Sequence, residues 1–163
     1  VSRLESAIRR LTAQRACLDA ACAAIAGLPG PALELGLGNG RTYSHLLERL
    51  PDREVWVFER APKPHADVFP PEDRLFRGEL SATLPDALAR IGAPAALAHM
   101  DLGTKDKDAS VAASRALAPL VVRLLAPGAV VASDQPLDGV EGLGPFPVPD
   151  EVPPGRYHMY RRA

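Results

Sequence analysis

The sequence is short of cysteine, of net charge and of long apolar runs, and each shortage removes a class of protein. Two cysteines, Cys17 and Cys22, in 163 residues form no ligand cluster and fit a reducing, cytoplasmic compartment. The 19 Lys and Arg are cancelled by 20 Asp and Glu, leaving a net charge of −1. That balance lacks the basic excess that drives phosphate-backbone binding, so nucleic acid is not an expected partner. No apolar run approaches the roughly 18 residues of a membrane span; Arg123 interrupts the best candidate, Ala116–Ala126. Arg3, Glu5, Arg9 and Arg10 break any apolar stretch near the start, so no secretory leader is expected there.

What is present is enough for one core. Apolar residues make up 47% of the chain, and a domain of this size buries roughly 70% of its unfolded surface without a disulfide or structural metal. The expectation is a single domain, 1–163, with an N-terminal helix (1–27), a core (31–134) and a proline-rich tail ending in an edge strand (135–163). Seventeen prolines fall mostly between periodic segments, and Pro136, Pro145, Pro147, Pro149, Pro153 and Pro154 crowd the tail.

Ser2 and Glu5 have the spacing of a capping box, after which Leu4, Ile8, Leu11, Leu18, Cys22 and Ile25 recur along one helical stripe as far as Gly27. Strands are expected at Pro31–Leu35, Glu54–Glu59, Leu75–Arg77, Ala95–Asp101 and Ala129–Asp134. Helices are expected at Gly40–Leu50, Ser81–Ile91 and Asp106–Leu125, the last kinked at Pro119 and ended by Pro127-Gly128. Arg156–Arg161 alternates weakly and is expected to close the edge of the sheet. Strand and helix in repeated alternation predict an α/β fold: a doubly wound, mostly parallel sheet with helices on both faces. Ligands of such sheets bind beyond the carboxyl ends of the strands.

The first strand runs into Glu34-Leu35-Gly36-Leu37-Gly38-Asn39-Gly40. Three alternating glycines let the main chain turn sharply and approach a ligand with no Cβ in the way. A dinucleotide fingerprint needs a small residue at position 41, where Arg41 stands, and the Gly-Lys-Ser/Thr of a P-loop is absent. An NAD(P)-dependent oxidoreductase is therefore the weaker enzyme reading.

Glu34, Gly36, Gly38 and Gly40, an acid and one spacer before G-x-G-x-G, resemble the opening motif of the Rossmann-like S-adenosylmethionine-dependent methyltransferases. The resemblance spans roughly residues 31–134. It implies S-adenosyl-L-methionine as cofactor, held by Glu34, Gly36, Leu37, Gly38, Asn39 and Gly40. It also implies that Glu59, at the end of the second strand, accepts hydrogen bonds from the ribose hydroxyls. Gly78-Glu79 after the third strand would lie beside the adenine, and Asp101 after the fourth would face both donor and acceptor. His99 alternates with Asp101 and points to the same side of the strand; it is a second catalytic candidate, although a lone strand histidine is more often structural. In metal-dependent relatives similar to catechol O-methyltransferase an Asp and an Asp-Asn pair hold Mg²⁺. Here Asp101 and Asp134-Gln135 occupy those places, with a longer amide arm, and the competing reading is that Asp134 caps a loop.

The family commonly adds a helix and an antiparallel strand pair after the fifth strand. The proline-rich stretch 136–155 leaves little room for that helix and predicts a reduced edge. Small size and the lack of a basic groove favour a small-molecule acceptor, and the first helix is expected to cover the cleft or to join copies of the chain in a homo-oligomer. A protein that binds the cofactor without transferring methyl, or serves as an assembly subunit, would share these motifs.

Overall fold

A computed structural model describes residues 1–63 and 68–163. Its elements are α1 (Arg3–Ala24), β1 (Ala32–Leu35), α2 (Arg41–Arg49), β2 (Val55–Glu59), β3 (Leu75–Arg77), α3 (Leu80–Thr83), α4 (Ala87–Ile91), β4 (Ala95–Met100), α5 (Lys107–Val122), β5 (Leu125–Ser133), β6 (Leu143–Pro145) and β7 (His158–Arg162). They form a seven-stranded sheet in the order β3-β2-β1-β4-β5-β7-β6. The first five strands pair in parallel, and β7 runs antiparallel to both β5 and β6.

Helices cover both faces, so β1, β4 and most of β2 are buried along their length. Period-two alternation splits their side chains between two cores. Ala32, Val55, Val57 and Leu97 pack with Ala13, Cys17, Leu18 and Ala21 of α1, and with Tyr43 and Leu46 of α2. Leu33, Leu35, Phe58 and Met100 pack on the other face with Leu84, Ala87, Ala118 and Val121. Phe58 stacks on Phe76 there, with ring centroids 4.5 Å apart. The even-numbered side of β1 and the odd-numbered side of β4 therefore look toward α1, and Glu34 and His99 lie on that side.

Four expectations need correction. The stripe along α1 is only half used: Leu4 and Ile8 are 72% and 50% exposed, and the buried positions are Ala13, Gln14, Cys17, Leu18 and Ala21. Small side chains let the second half of α1 sit close on the sheet, while the first two turns project beyond it. The helix expected over Ser81–Ile91 is broken by a 3₁₀ turn at Leu84–Asp86, because Pro85 offers no N–H to continue the ladder. Strand β5 begins at Leu125, ahead of Pro127-Gly128. Those two residues lie where the register with β4 shifts, between Ala95↔Leu125 and Leu97↔Val130, so the strand bulges rather than starting there.

Finally, the C-terminal strand is not the edge. Leu143–Pro145 pairs with it from outside, and Pro145 ends that outer strand, a position where its missing N–H breaks no ladder. Among the described residues no helix lies between β5 and β7, so the tail lacks the helix and keeps the strand pair.

Candidate functional site

The residues singled out from the sequence gather at the carboxyl ends of β1, β2 and β4. Gly36, Gly38 and Gly40 have φ of 86°, 55° and 82°, a left-handed backbone that other residues rarely adopt. A Cβ on Gly36 would collide with the Asp101 carbonyl, so this glycine lets the ends of β1 and β4 touch. A Cβ on Gly38 would meet nothing within 4 Å; its bare main chain is open on that side. Gly40 precedes the first turn of α2, and Asn39 Oδ1 accepts from the Arg41 guanidinium at 3.0 Å.

Glu34 is wholly buried. Thr42 Oγ1 donates to its Oε2 at 2.8 Å, and His99 Nδ1 lies 2.5 Å from its Oε1. Both oxygens are thus committed inside the protein. Glu59 Oε2 accepts from the Leu37 N–H at 2.7 Å and Oε1 from the Ala61 N–H at 3.2 Å, which ties the glycine loop to the end of β2. Each carboxylate oxygen can accept a further bond, and the Glu59 side chain is only half-buried. Gly78, at φ 125°, turns the chain out of β3, and Glu79 is exposed, its Oε1 3.6 Å from Arg60. Asp101 is half-buried at the mouth of the loop and accepts from Gln14 Nε2 at 3.3 Å. Arg10, Leu11 and Gln14 of α1 close with Leu37, Gly38, Asn39, Arg41, Thr42 and Asp101 around a cavity of about 50 Å³.

The proposed metal donors face other partners. Asp134 accepts from the N–H groups of Leu102 and Gly103 at 3.3 and 2.8 Å, and Gln135 donates its amide to the same carboxylate. Burial and the neighbouring Asp101 charge hold the Asp134 carboxyl above its ordinary range. Among the described residues no group of three or more His, Cys, Asp or Glu is arranged to hold a metal ion. Asp134 clamps the turn after β4 through the Leu102 and Gly103 N–H groups. Burial pushes the Cys17 and Cys22 thiols up to about 11.

Three residues that sequence reasoning missed join this group. Gln14, a polar residue on the buried face of α1, and Thr42, in the first turn of α2, carried only faint signals. Tyr157 carried none, lying between the proline-rich stretch and the last strand. Its hydroxyl is 2.5 Å from His99 Nε2 and 3.4 Å from Gln14 Nε2. Burial, and then the Asp101 charge, push the Tyr157 phenol well above its ordinary value.

An S-adenosyl-L-methionine methyltransferase family model matches residues 1–162. The chain belongs to that family. This methyltransferase is similar over its whole length to the crystal structure of an S-adenosyl-L-methionine methyl transferase from Silicibacter pomeroyi DSS-3. The two share 45% identity and a TM-score of 0.93, covering 100% of this chain and 99% of that one. The amino pentose methyltransferase CalS10 from Micromonospora echinaspora, solved with S-adenosylmethionine bound, shares the fold at 22% identity and a TM-score of 0.54, over 93% of this chain and 65% of its own. The antibiotic-resistance methyltransferase Kmr shares it at 16% identity and 0.52, over 91% and 93%. No curated protein matches this chain. The fold and the S-adenosylmethionine cofactor expected from the glycine motif are those of the family, and no helix among the described residues is long and apolar enough to cross a membrane.

Proposed function

We propose that this methyltransferase carries the methyl group to a small-molecule acceptor, with the donor held between the glycine loop and Glu59. The observation that carries the reading is the junction of bare main chain at Gly36–Gly40 with the Glu59 and Asp101 carboxylates at one end of the sheet. Glycines present peptide groups without side-chain bulk, and carboxylates suit a ligand with a sulfonium, an amino group and vicinal hydroxyls. Glu59 would take the ribose hydroxyls while still holding Leu37 N–H. Gly78 and Glu79 would border the adenine. Glu34, with both oxygens committed, would shape the loop through Thr42 rather than meet the ligand. His99 is wholly buried and would act through its neighbours.

S-adenosylmethionine supplies an already activated methyl group, so the chain's work is alignment and exclusion of water. Asp101 stands where it can orient the acceptor and take up the proton that its nucleophile loses. Arg10 and Leu11 of α1 border the same opening. The exposed Leu4 and Ile8 on that helix suit contact with a second copy, and a cytoplasmic setting suits the two free cysteines. The test is incubation of the protein with methyl-labelled S-adenosylmethionine and a cell extract, followed by size fractionation. A labelled low-mass species chromatographically distinct from S-adenosylmethionine is expected, and absent without the protein; transferred label confined to protein or nucleic acid would refute the small-molecule assignment.

A further inference from the structure

The face of the sheet beneath α1 is built mainly of Ala, Val and Leu, and one polar chain crosses it. Glu34 and His99 are both 0% exposed, and Tyr157 and Gln14 are 3% and 4% exposed. The contacts run without a gap from Thr42 Oγ1 to Glu34, from Glu34 to His99 Nδ1, and from His99 Nε2 to the Tyr157 hydroxyl. They continue from that hydroxyl to Gln14 Nε2, and from Gln14 Nε2 to Asp101 Oδ2. Both imidazole nitrogens are engaged, and the Gln14 amide bridges Tyr157 and Asp101. Four elements and the tail meet here: β1, α2, β4, α1 and the approach to β7.

Stability is a poor reason for such a chain. Desolvating a carboxylate and an imidazole costs several kcal/mol per ion, and apolar residues of equal volume commonly do as well or better. A fully satisfied buried network does fix the geometry of the groups at its end. The group at the end here is Asp101, the only half-exposed member besides Thr42.

We propose that Gln14 and Tyr157, braced by His99 and Glu34, are positioning residues that hold Asp101 in the donor site, making α1 a working wall of that site. The inference rests on the reading of the glycine loop and Asp101 as the donor site. It gives the tail a role in the site: Tyr157, 24 positions beyond the end of the fifth strand at Ser133, completes a network that begins under the loop.

The test is a double-mutant cycle read by calorimetric titration with S-adenosylhomocysteine. Gln14→Ala and Tyr157→Phe should each weaken binding by about five- to twentyfold, and the double variant should be no weaker than the worse single one, because both act through one contact with Asp101. A purely structural tyrosine would give losses that multiply. Binding by both single variants within twofold of wild type, or losses that multiply, would overturn the brace while leaving the donor site intact. Absence of binding to the wild-type chain would overturn the donor-site reading and this inference with it. If Tyr157→Phe fails to fold, Gln14→Ala decides alone, a loss below fivefold counting against the brace.

Discussion

Replacing Glu59 with Ala removes one carboxylate from the half-buried end of β2, and the structure sets the size of the expected effect. The side chain holds the Leu37 N–H at 2.7 Å and the Ala61 N–H at 3.2 Å, so its loss frees the glycine loop as well as any ligand contact. Hydrogen bonds to a charged group contribute about 1.5–3 kcal/mol, which corresponds to roughly 10- to 150-fold in Kd. The fold should survive, because Glu59 lies at a strand end and contributes to neither apolar core. Calorimetric titration of S-adenosylhomocysteine into wild type and Glu59→Ala, with thermal melts of both, is the assay. A cooperatively melting variant that binds within twofold of wild type would refute the placement of Glu59 in the site.

Three further outcomes follow from the same geometry. Gly36→Ala meets both a φ of 86° and the Asp101 carbonyl, so it should destabilise by at least about 1–3 kcal/mol and abolish cofactor binding. Gly27→Ala, whose Cβ meets nothing within 4 Å, should be near neutral; equal melting temperatures for the two would contradict the steric reading. Phe58→Ala empties a wholly buried position stacked on Phe76 and should cost about 3–5 kcal/mol in urea titration, a loss under about 1 kcal/mol contradicting the packing described.

The third outcome concerns His99 and pH. Burial pushes the imidazole down, but the adjoining Glu34 carboxylate, aided by Asp101 and Asp134, outweighs it and leaves His99 raised; the neutral Tyr157 phenol is its other neighbour. The native state therefore keeps a proton that the unfolded chain releases near about pH 6.5. That stabilisation is complete below this value and is lost as pH rises through the native pKa. The stability difference between wild type and His99→Gln should shrink over that window, and a difference that stays flat or grows would contradict the pairing.

Much of the site was legible because its signals are local. Gly36, Gly38 and Gly40 mark a backbone that only glycine tolerates, and the acids at 34, 59 and 101 end or follow short apolar strands whose alternation fixes their side. The parts that misled were decided by packing. Leu125 reads as the end of the helix because a short apolar run has no period of its own, and only pairing with β4 makes it strand. Leu4 and Ile8 continue a helical stripe that outruns the sheet beneath it. Gln14 and Tyr157 lie 143 positions apart, and no pattern along the chain announces that their side chains meet.

A crystal structure of the chain with S-adenosylhomocysteine tests the central claim most directly. The account predicts the ribose hydroxyls on the Glu59 carboxylate, the main chain of 36–40 against the nucleoside, and Asp101 beside the sulfur. A nucleoside bound elsewhere, with the glycine loop touching only the protein's own side chains, would contradict it.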